Sequence, residues 1–234
     1  MRREAATPGL ERAAVVREQQ AARGESRRRV AARATKLRIR AVASELFFRR
    51  GYHATTMREV AGAAGVRVGS VYNHYESKED LLFSIAYETM EEMIDGGREA
   101  VGRAGTAREK LRAFLDFHIT YTVERMFEAR VADDFLHVLN PHARRSVVRL
   151  RDDYERVLRE ILEQGARQDG WLVDDIALIA FAIVTMCTDI RLWYRPDGRL
   201  ALEDICDFYE RFVLRALGDG GPLAGMDTRA SRSA

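Results

Sequence analysis

Apolar positions between residues 35 and 217 recur every three or four places, in runs broken by Gly, Pro, Asp, Ser and Thr, and they almost never alternate. That period predicts amphipathic helices and no strands. A first helix is expected from about Thr35 to Arg50, burying Ile39, Val42, Ala43, Leu46 and Phe47, with Gly51 ending it. Two short helices follow. Thr55 or Thr56 can cap the first of these by accepting a backbone N–H two or three residues on. Val60, Ala61 and Ala64 share its inner face, Gly65 sits where it must stop, and Val66 and Val71 face back toward it. Ser77-Lys78-Glu79-Asp80 is a capping-box-like start with Ser77 as N-cap. The helix it opens is expected to stop near Asp95, at Gly96-Gly97.

The remainder reads as helices joined by short loops. Thr106-Ala107-Arg108-Glu109 is a capping box opening a helix to about Arg130, and a short helix spans Asp133 to Asn140. Asn140-Pro141 is an N-cap with proline at the first helical position, opening a helix to about Gln168 with Gly170 after it. Asp174-Asp175 begins a strongly apolar helix to about Tyr194. Arg195-Pro196-Asp197-Gly198 is a turn, and Leu202 to Leu217 is the last helix. The expected organisation is a basic, flexible extension (1–34, disordered before about Leu10, and of helical composition with a weak apolar face from Glu11 to Ala34), a helix-turn-helix domain (35–80), a helical body (81–217) and a flexible tail (218–234).

Charge sharpens this picture. The chain has a net charge of only +2, yet residues 1–78 carry 17 Lys and Arg against 7 Glu, a net of +10, and the rest carries −8. A basic head on an acidic body fits a head that meets a polyanion. Residues 55–81 have the layout of a helix-turn-helix, whose second helix enters a DNA major groove. Its outward face is Arg67, Val68, Gly69, Ser70, Tyr72, Asn73 and His74, which has donors, hydroxyls and a ring but no acid. Arg27-Arg28-Arg29 can serve as an arm touching phosphates or entering a minor groove, or be a solvated tail.

Other classes of function find little support. There is no Gly-rich phosphate loop, nucleophile elbow or paired-His metal motif. His137 and His142 with Asp133 and Asp134 are the nearest approach to a metal set, and helical carboxylates near a loop are usually solvated. No enzyme activity, cofactor or metal is expected. Cys187 and Cys206 lie in apolar helical contexts and read as buried, reduced thiols. The arginine-rich start has no signal-peptide core, and the longest apolar run, Ile176 to Cys187, is too short to span a bilayer. The expectation is a soluble, cytoplasmic protein with no membrane partner.

The run Ala41-Val42-Ala43-Ser44-Glu45-Leu46-Phe47 through Gly51-Tyr52, Thr55-Thr56-Met57-Arg58-Glu59-Val60-Ala61, Gly65-Val66 and Val71-Tyr72-Asn73-His74-Tyr75 to Ser77-Lys78-Glu79-Asp80-Leu81-Leu82 resembles the N-terminal domain of the TetR/AcrR family of bacterial transcriptional regulators. The resemblance extends from Leu37 to about Met93. It implies an all-α fold, an N-terminal three-helix helix-turn-helix DNA-binding domain followed by a C-terminal helical ligand-binding and dimerisation domain. It implies that Thr56, Tyr72, His74 and Lys78 hold phosphates, and that Arg58, Val68, Gly69 and Ser70 face base edges. Two departures matter. Arg67 stands where a small hydroxyl is usual, and Val68, often polar in the family, can make only apolar contact such as with a thymine methyl. Direct reading therefore leans on Arg58 and Arg67. On the bland alternative, Arg58 pairs with Glu45 or Glu59.

The last two helices are more apolar than a one-sided surface helix needs, and the resemblance implies that they form a two-fold homodimer, which suits two DNA half-sites one turn apart. It also implies a ligand cavity in the body. Candidates to line it are Phe117, His118, Tyr121, Thr122, Met126, Phe135, Tyr154, Phe181, Thr185, Asp189 and Trp193, with Leu158 and Met186. The polar ones are the more telling, because a polar group on an apolar face needs a partner. Asp189 to Arg199 is similar to the C-terminal signature of a subgroup tied to fatty-acid, steroid and acyl-CoA metabolism. That implies a hydrophobic or acyl-CoA effector, with Arg191, Arg195 or Arg199 near its phosphates; the alternative for these arginines is turn capping and solvent pairing with Asp197 and Glu203. The function expected is a ligand-responsive regulator, a dimeric repressor released from a palindromic double-stranded DNA operator by that small molecule.

Overall fold

Caps and glycines set most helix ends in the computed structural model, which describes residues 8–219, with side chains from Arg29 onward. Most of the expected flexible tail (all but Gly218 and Asp219) and most of the expected N-terminal disorder lie outside the described residues, as do the side chains of Arg27 and Arg28. The described residues form ten α-helices and no strand. The chain divides after Lys78 into two compact units.

The first unit holds α1 (Pro8–Arg50), α2 (Met57–Ala63) and α3 (Val68–Tyr72). α1 begins at Pro8 rather than near Thr35. The Ala, Arg, Glu and Gln of the extension are strong helix formers, and propensity carries the helix where no apolar face is present. Ile39, Ala43 and Phe47 of α1 are buried with Val60, Ala61, Val71 and Tyr75. Gly51 (φ +86°) and Gly65 (φ +65°) end α1 and α2 in the left-handed conformation that L side chains avoid.

The second unit runs from α4 (Lys78–Gly102) through α5 (Ala107–Glu124), α6 (Met126–Asp134), a 3₁₀ turn (Leu136–Val138), α7 (Pro141–Gln168), α8 (Ile176–Thr188) and α9 (Ile190–Trp193) to α10 (Leu202–Ala216). α5 is its axis, touching α7, α8 and α10. Leu111, Phe114, Leu115 and Ile119 of α5 are fully buried, as are Leu158 and Leu162 of α7. Arg112 ties α5 to α10, pairing with Asp207 at 2.6 Å and Glu210 at 2.7 Å. The caps fall where the chain placed them: Thr106 with Glu109, Asn140 before Pro141, and Asp175 before α8. Both cysteines are buried and unpaired.

In the second unit three further boundaries differ from expectation. α4 does not stop at Gly96-Gly97 but passes through both. These glycines make room: a Cβ on Gly96 would lie 2.4 Å from the Phe117 ring, and one on Gly97 3.0 Å from Tyr154. The helix from Ala107 breaks at Arg125 (φ −112°, ψ 34°), so that α6 buries its own Ala129, Val131 and Ala132, and only a 3₁₀ turn follows it. The apolar helix from Ile176 is interrupted at Asp189. The expectation that the apolar run is too short to span a bilayer does not hold for the longer stretch Ile176–Trp193, whose 18 residues are long and apolar enough by length and composition alone; 22% of it is buried within the chain, and it carries Arg191 against Asp133 of α6.

Candidate functional site

In the first unit, α2 and α3 leave one face uncovered. Thr56 caps α2 through a complete capping box: its hydroxyl oxygen accepts the Glu59 N–H at 3.2 Å, and the Glu59 carboxylate accepts the Thr56 N–H at 2.8 Å. The Thr56 hydroxyl donates to the same carboxylate at 2.8 Å, and Arg50 pairs with it at 3.2 Å. The Thr56 bonds, with Arg50 behind them, hold the Glu59 carboxyl below its ordinary value. Glu45 is taken by Arg49. Neither acid therefore reaches Arg58, which stands exposed, and among the described residues Arg58 and Arg67 have no ion-pair partner.

Gly69, Tyr72 and Asn73 are likewise exposed, and Val68, Ser70 and His74 are half-buried. The two tyrosines separate cleanly: Tyr75 is core at 2% exposure, whereas Tyr72 is 50% exposed. Lys78 has a different task from the one expected of it. Its ammonium donates to the carbonyls of Tyr52 (2.9 Å), His53 (3.3 Å) and Thr55 (2.9 Å), and lies 4.5 Å over the Tyr52 ring. Its three donors are spent on the loop that delivers Thr56. The signal in the sequence was that loop, whose carbonyls follow the end of α1 and need a donor.

In the second unit a cavity of about 430 Å³ lies among α4, α5, α6, α7 and α8. Met90, Met93, Ala129, Ala132, Phe181 and Val184 give it apolar walls, and Thr89, Thr122, Thr185 and Thr188 add hydroxyls. Of the residues expected to line it, His118, Thr122, Tyr154, Phe181, Thr185 and Asp189 do so. Phe117 and Tyr121 lie on the next face of α5, along a separate shallow groove. Met126 and Phe135 are not part of the cavity wall. Trp193 stands in a groove with Phe208 and Tyr209 of α10.

Sequence reading missed Thr89, Met90 and Met93 of α4, Asp133 of α6 and Arg151 of α7. Asp133 joins three elements: its carboxylate accepts from Arg151 at 2.5 Å and from Arg191 of α9, which is only 9% exposed. The sequence had offered Arg191 as a ligand of effector phosphates or as a turn cap paired in solvent with Asp197 and Glu203, and not as a partner of Asp133. Asp134, the other acid of the metal alternative, pairs with Arg130 instead. Among the described residues no His, Cys, Asp and Glu cluster has the makings of a metal site.

His118 is a buried member of the cavity wall. Its Nδ1 is 3.0 Å from the Tyr154 hydroxyl and its Nε2 3.0 Å from the Thr188 hydroxyl, so a neutral ring can donate to one and accept from the other. Burial drives its pKa from 6.5 down to about 4, with Arg191 adding to that and Asp133 opposing it. The folded state thus stays unprotonated between those values while the unfolded chain takes up a proton. Stability from this group is complete above pH 6.5 and is lost toward pH 4, at about 1.4 kcal/mol per pH unit. Urea unfolding should therefore show wild type losing roughly 2 kcal/mol more than His118→Gln between about pH 7.5 and 5. Equal losses in both proteins would clear His118 of the effect.

Residues 39–85 match the family described as bacterial regulatory proteins, tetR family, and residues 104–217 match the tetracyclin repressor-like C-terminal domain. The chain is 28% identical over 181 residues to the HTH-type transcriptional repressor KstR2 of Rhodococcus jostii, covering 75% of this chain and 87% of the relative. Among solved structures, the TetR-family transcriptional regulator PfmR of Thermus thermophilus aligns with TM-score 0.70 and 30% identity, over 76% of this chain and 97% of its own. AibR, solved in complex with isovaleryl coenzyme A and operator DNA, aligns with TM-score 0.66 and 28% identity, again over 76% and 97%.

Proposed function

This chain belongs to the TetR family of bacterial regulatory proteins, and we propose that it is a dimeric repressor that leaves a palindromic operator when a small acyl ligand, in the form of an acyl-CoA, occupies the cavity of its second unit. The observation that carries the DNA half is the exposed, unpaired Arg58 and Arg67 beside Tyr72, on a head with net charge +10. Arg58 and Arg67 suit the N7 and O6 acceptors of guanine, Val68 a thymine methyl, and Gly69 and Ser70 a close approach to base edges. Tyr72, Asn73 and His74 suit phosphates, as does Thr56 at the start of α2, whereas Lys78 acts by holding the Thr56 loop.

The effector half rests on a cavity that is mostly apolar with a few hydroxyls, and on the isovaleryl coenzyme A bound by AibR. Leu178 and Phe181 of α8, with Phe208 and Phe212 of α10, are at least half exposed, and a second copy covering α8 and α10 accounts for them. Operator and effector are then linked, each weakening the other by the same factor. A regulator of this kind works in the cytoplasm and needs no catalytic activity.

A randomised DNA library titrated with salt tests the reading. An enriched palindrome, with a steep salt slope, is expected. Arg58→Ala should relax preference at one position of each half-site, at about 1–3 kcal/mol of discrimination. Equal weakening on all sequences would reassign Arg58 to phosphate. Binding without any enrichment would remove the repressor reading.

A further inference from the structure

Most of the head's positive charge lies outside the helix-turn-helix. Residues 27–40, all in α1, hold seven Lys and Arg and no acid, which is +7 of the head's +10. Residues 1–26 are nearly balanced, with five Arg against four Glu. The charge is thus gathered in about four helical turns, between a near-neutral outer extension and the folded core.

Within that stretch Arg29, Arg33 and Lys36 fall at i, i+4 and i+7, so they line one face of α1 over about 10 Å. Arg29 and Arg33 are exposed, and Lys36 is half-buried. Lys36 fixes where this face lies: its ammonium is 6.0 Å from the centre of the Tyr75 ring, just past the end of α3. The Tyr75 ring is in turn 6.3 Å from that of His74. Tyr72, Asn73 and His74, which the reading above gives to phosphates, occupy that same end of the recognition helix. The cationic line starts beside the recognition helix and leaves it along α1.

The helix also decides what this line can meet. α1 runs without a break from Pro8 to Arg50. With its side chains an α-helix is about 10–12 Å across, and the minor groove of B-DNA is about 6 Å wide, so this stretch cannot enter the groove as an arm. Phosphates are the acceptors left, and the duplex offers one charge per about 1.7 Å of its length.

We propose that Arg29 and Arg33 form a second DNA contact, a helical strut against the phosphates flanking those held by the recognition helix, which adds affinity for any sequence and reads none. The inference rests on the DNA-binding reading above and extends the footprint of each head along α1.

The test follows binding of the full chain against salt on two duplexes, the operator selected from the random library and an unrelated sequence. Arg29→Ala with Arg33→Ala should make the slope of log K against log salt shallower by about two on both duplexes, about one per lost phosphate contact. Arg29→Lys with Arg33→Lys keeps the charge and should keep the slope. Arg12→Ala with Arg17→Ala removes the same charge from the outer extension and should change the slope by less than about half a unit. A slope unchanged by the inner pair, or lowered equally by the outer pair, overturns the contact. So does a loss confined to operators with A·T pairs beside each half-site, the mark of minor-groove entry. In each of those cases a steep wild-type slope and an enriched operator leave the DNA-binding reading standing; without them both fall.

Discussion

Asp133→Ala is expected to destabilise the protein by about 3 kcal/mol, far more than an ordinary surface carboxylate. Its carboxylate is the shared acceptor of Arg151 and Arg191, and Arg191 is almost entirely out of water. Without it two guanidiniums face one another, with only Asp189, 3.9 Å from Arg191, as a remaining counter-charge. The figure sits at the low end for a broken buried pair because Asp133 itself is 32% exposed. Asp134→Ala is the control. It is next along the helix and its pair with Arg130 spans one turn on the surface, so its loss should be within about 0.5 kcal/mol. Urea unfolding of the two variants decides the matter. If Asp133→Ala tracks Asp134→Ala, the three-element ion cluster has no structural role.

Gly165→Ala should be as severe, by a different route. A Cβ there would lie 2.0 to 2.5 Å from three atoms of the Trp171 ring, and Trp171 is buried at 4% exposure. The indole cannot swing out without exposing itself, so overpacking of about 3 kcal/mol is expected, a fall in Tm of roughly 10 °C. Trimming the ring with Trp171→Leu in the same chain should recover part of the loss, since the two changes share one contact. Gly170→Ala separates close approach from backbone strain. It has no neighbour within 4 Å of its Cβ, only φ +71°, and should lose about 1–2 kcal/mol. A thermal melt in which Gly165→Ala is milder than Gly170→Ala would refute the close-contact account.

Local chemistry was the legible part of this chain. Thr56 with Glu59, Thr106 with Glu109, Asn140 before Pro141 and Gly51 and Gly65 are all short-range signals, and each marks the helix end it was expected to mark. What depended on distant partners was harder to see. Gly96-Gly97 looks like a stop until Phe117 and Tyr154 are brought against it. Lys78 looks like a phosphate ligand until the carbonyls of residues 52–55 come within reach. The cavity shows the same limit. α5 has two apolar faces about 100° apart, one with His118 and Thr122 and the next with Phe117 and Tyr121, and the helical period gives no ground for choosing between them. Arg151 and Asp133, both charged, read as solvent-facing because their partners lie on other helices.

The glycine pair in α4 also has a consequence for folding order. Two adjacent glycines weaken a helix by roughly 1–2 kcal/mol in total, so the middle of α4 holds its hydrogen bonds only while neighbouring rings press on it. A peptide of residues 78–102 alone should break into two short helices at that point. In the intact chain, amide exchange over residues 97–101 then follows how firmly Phe117 and Tyr154 are seated. Tyr154 also lines the cavity. The slow protons of one helix become a gauge of what fills the space beside it.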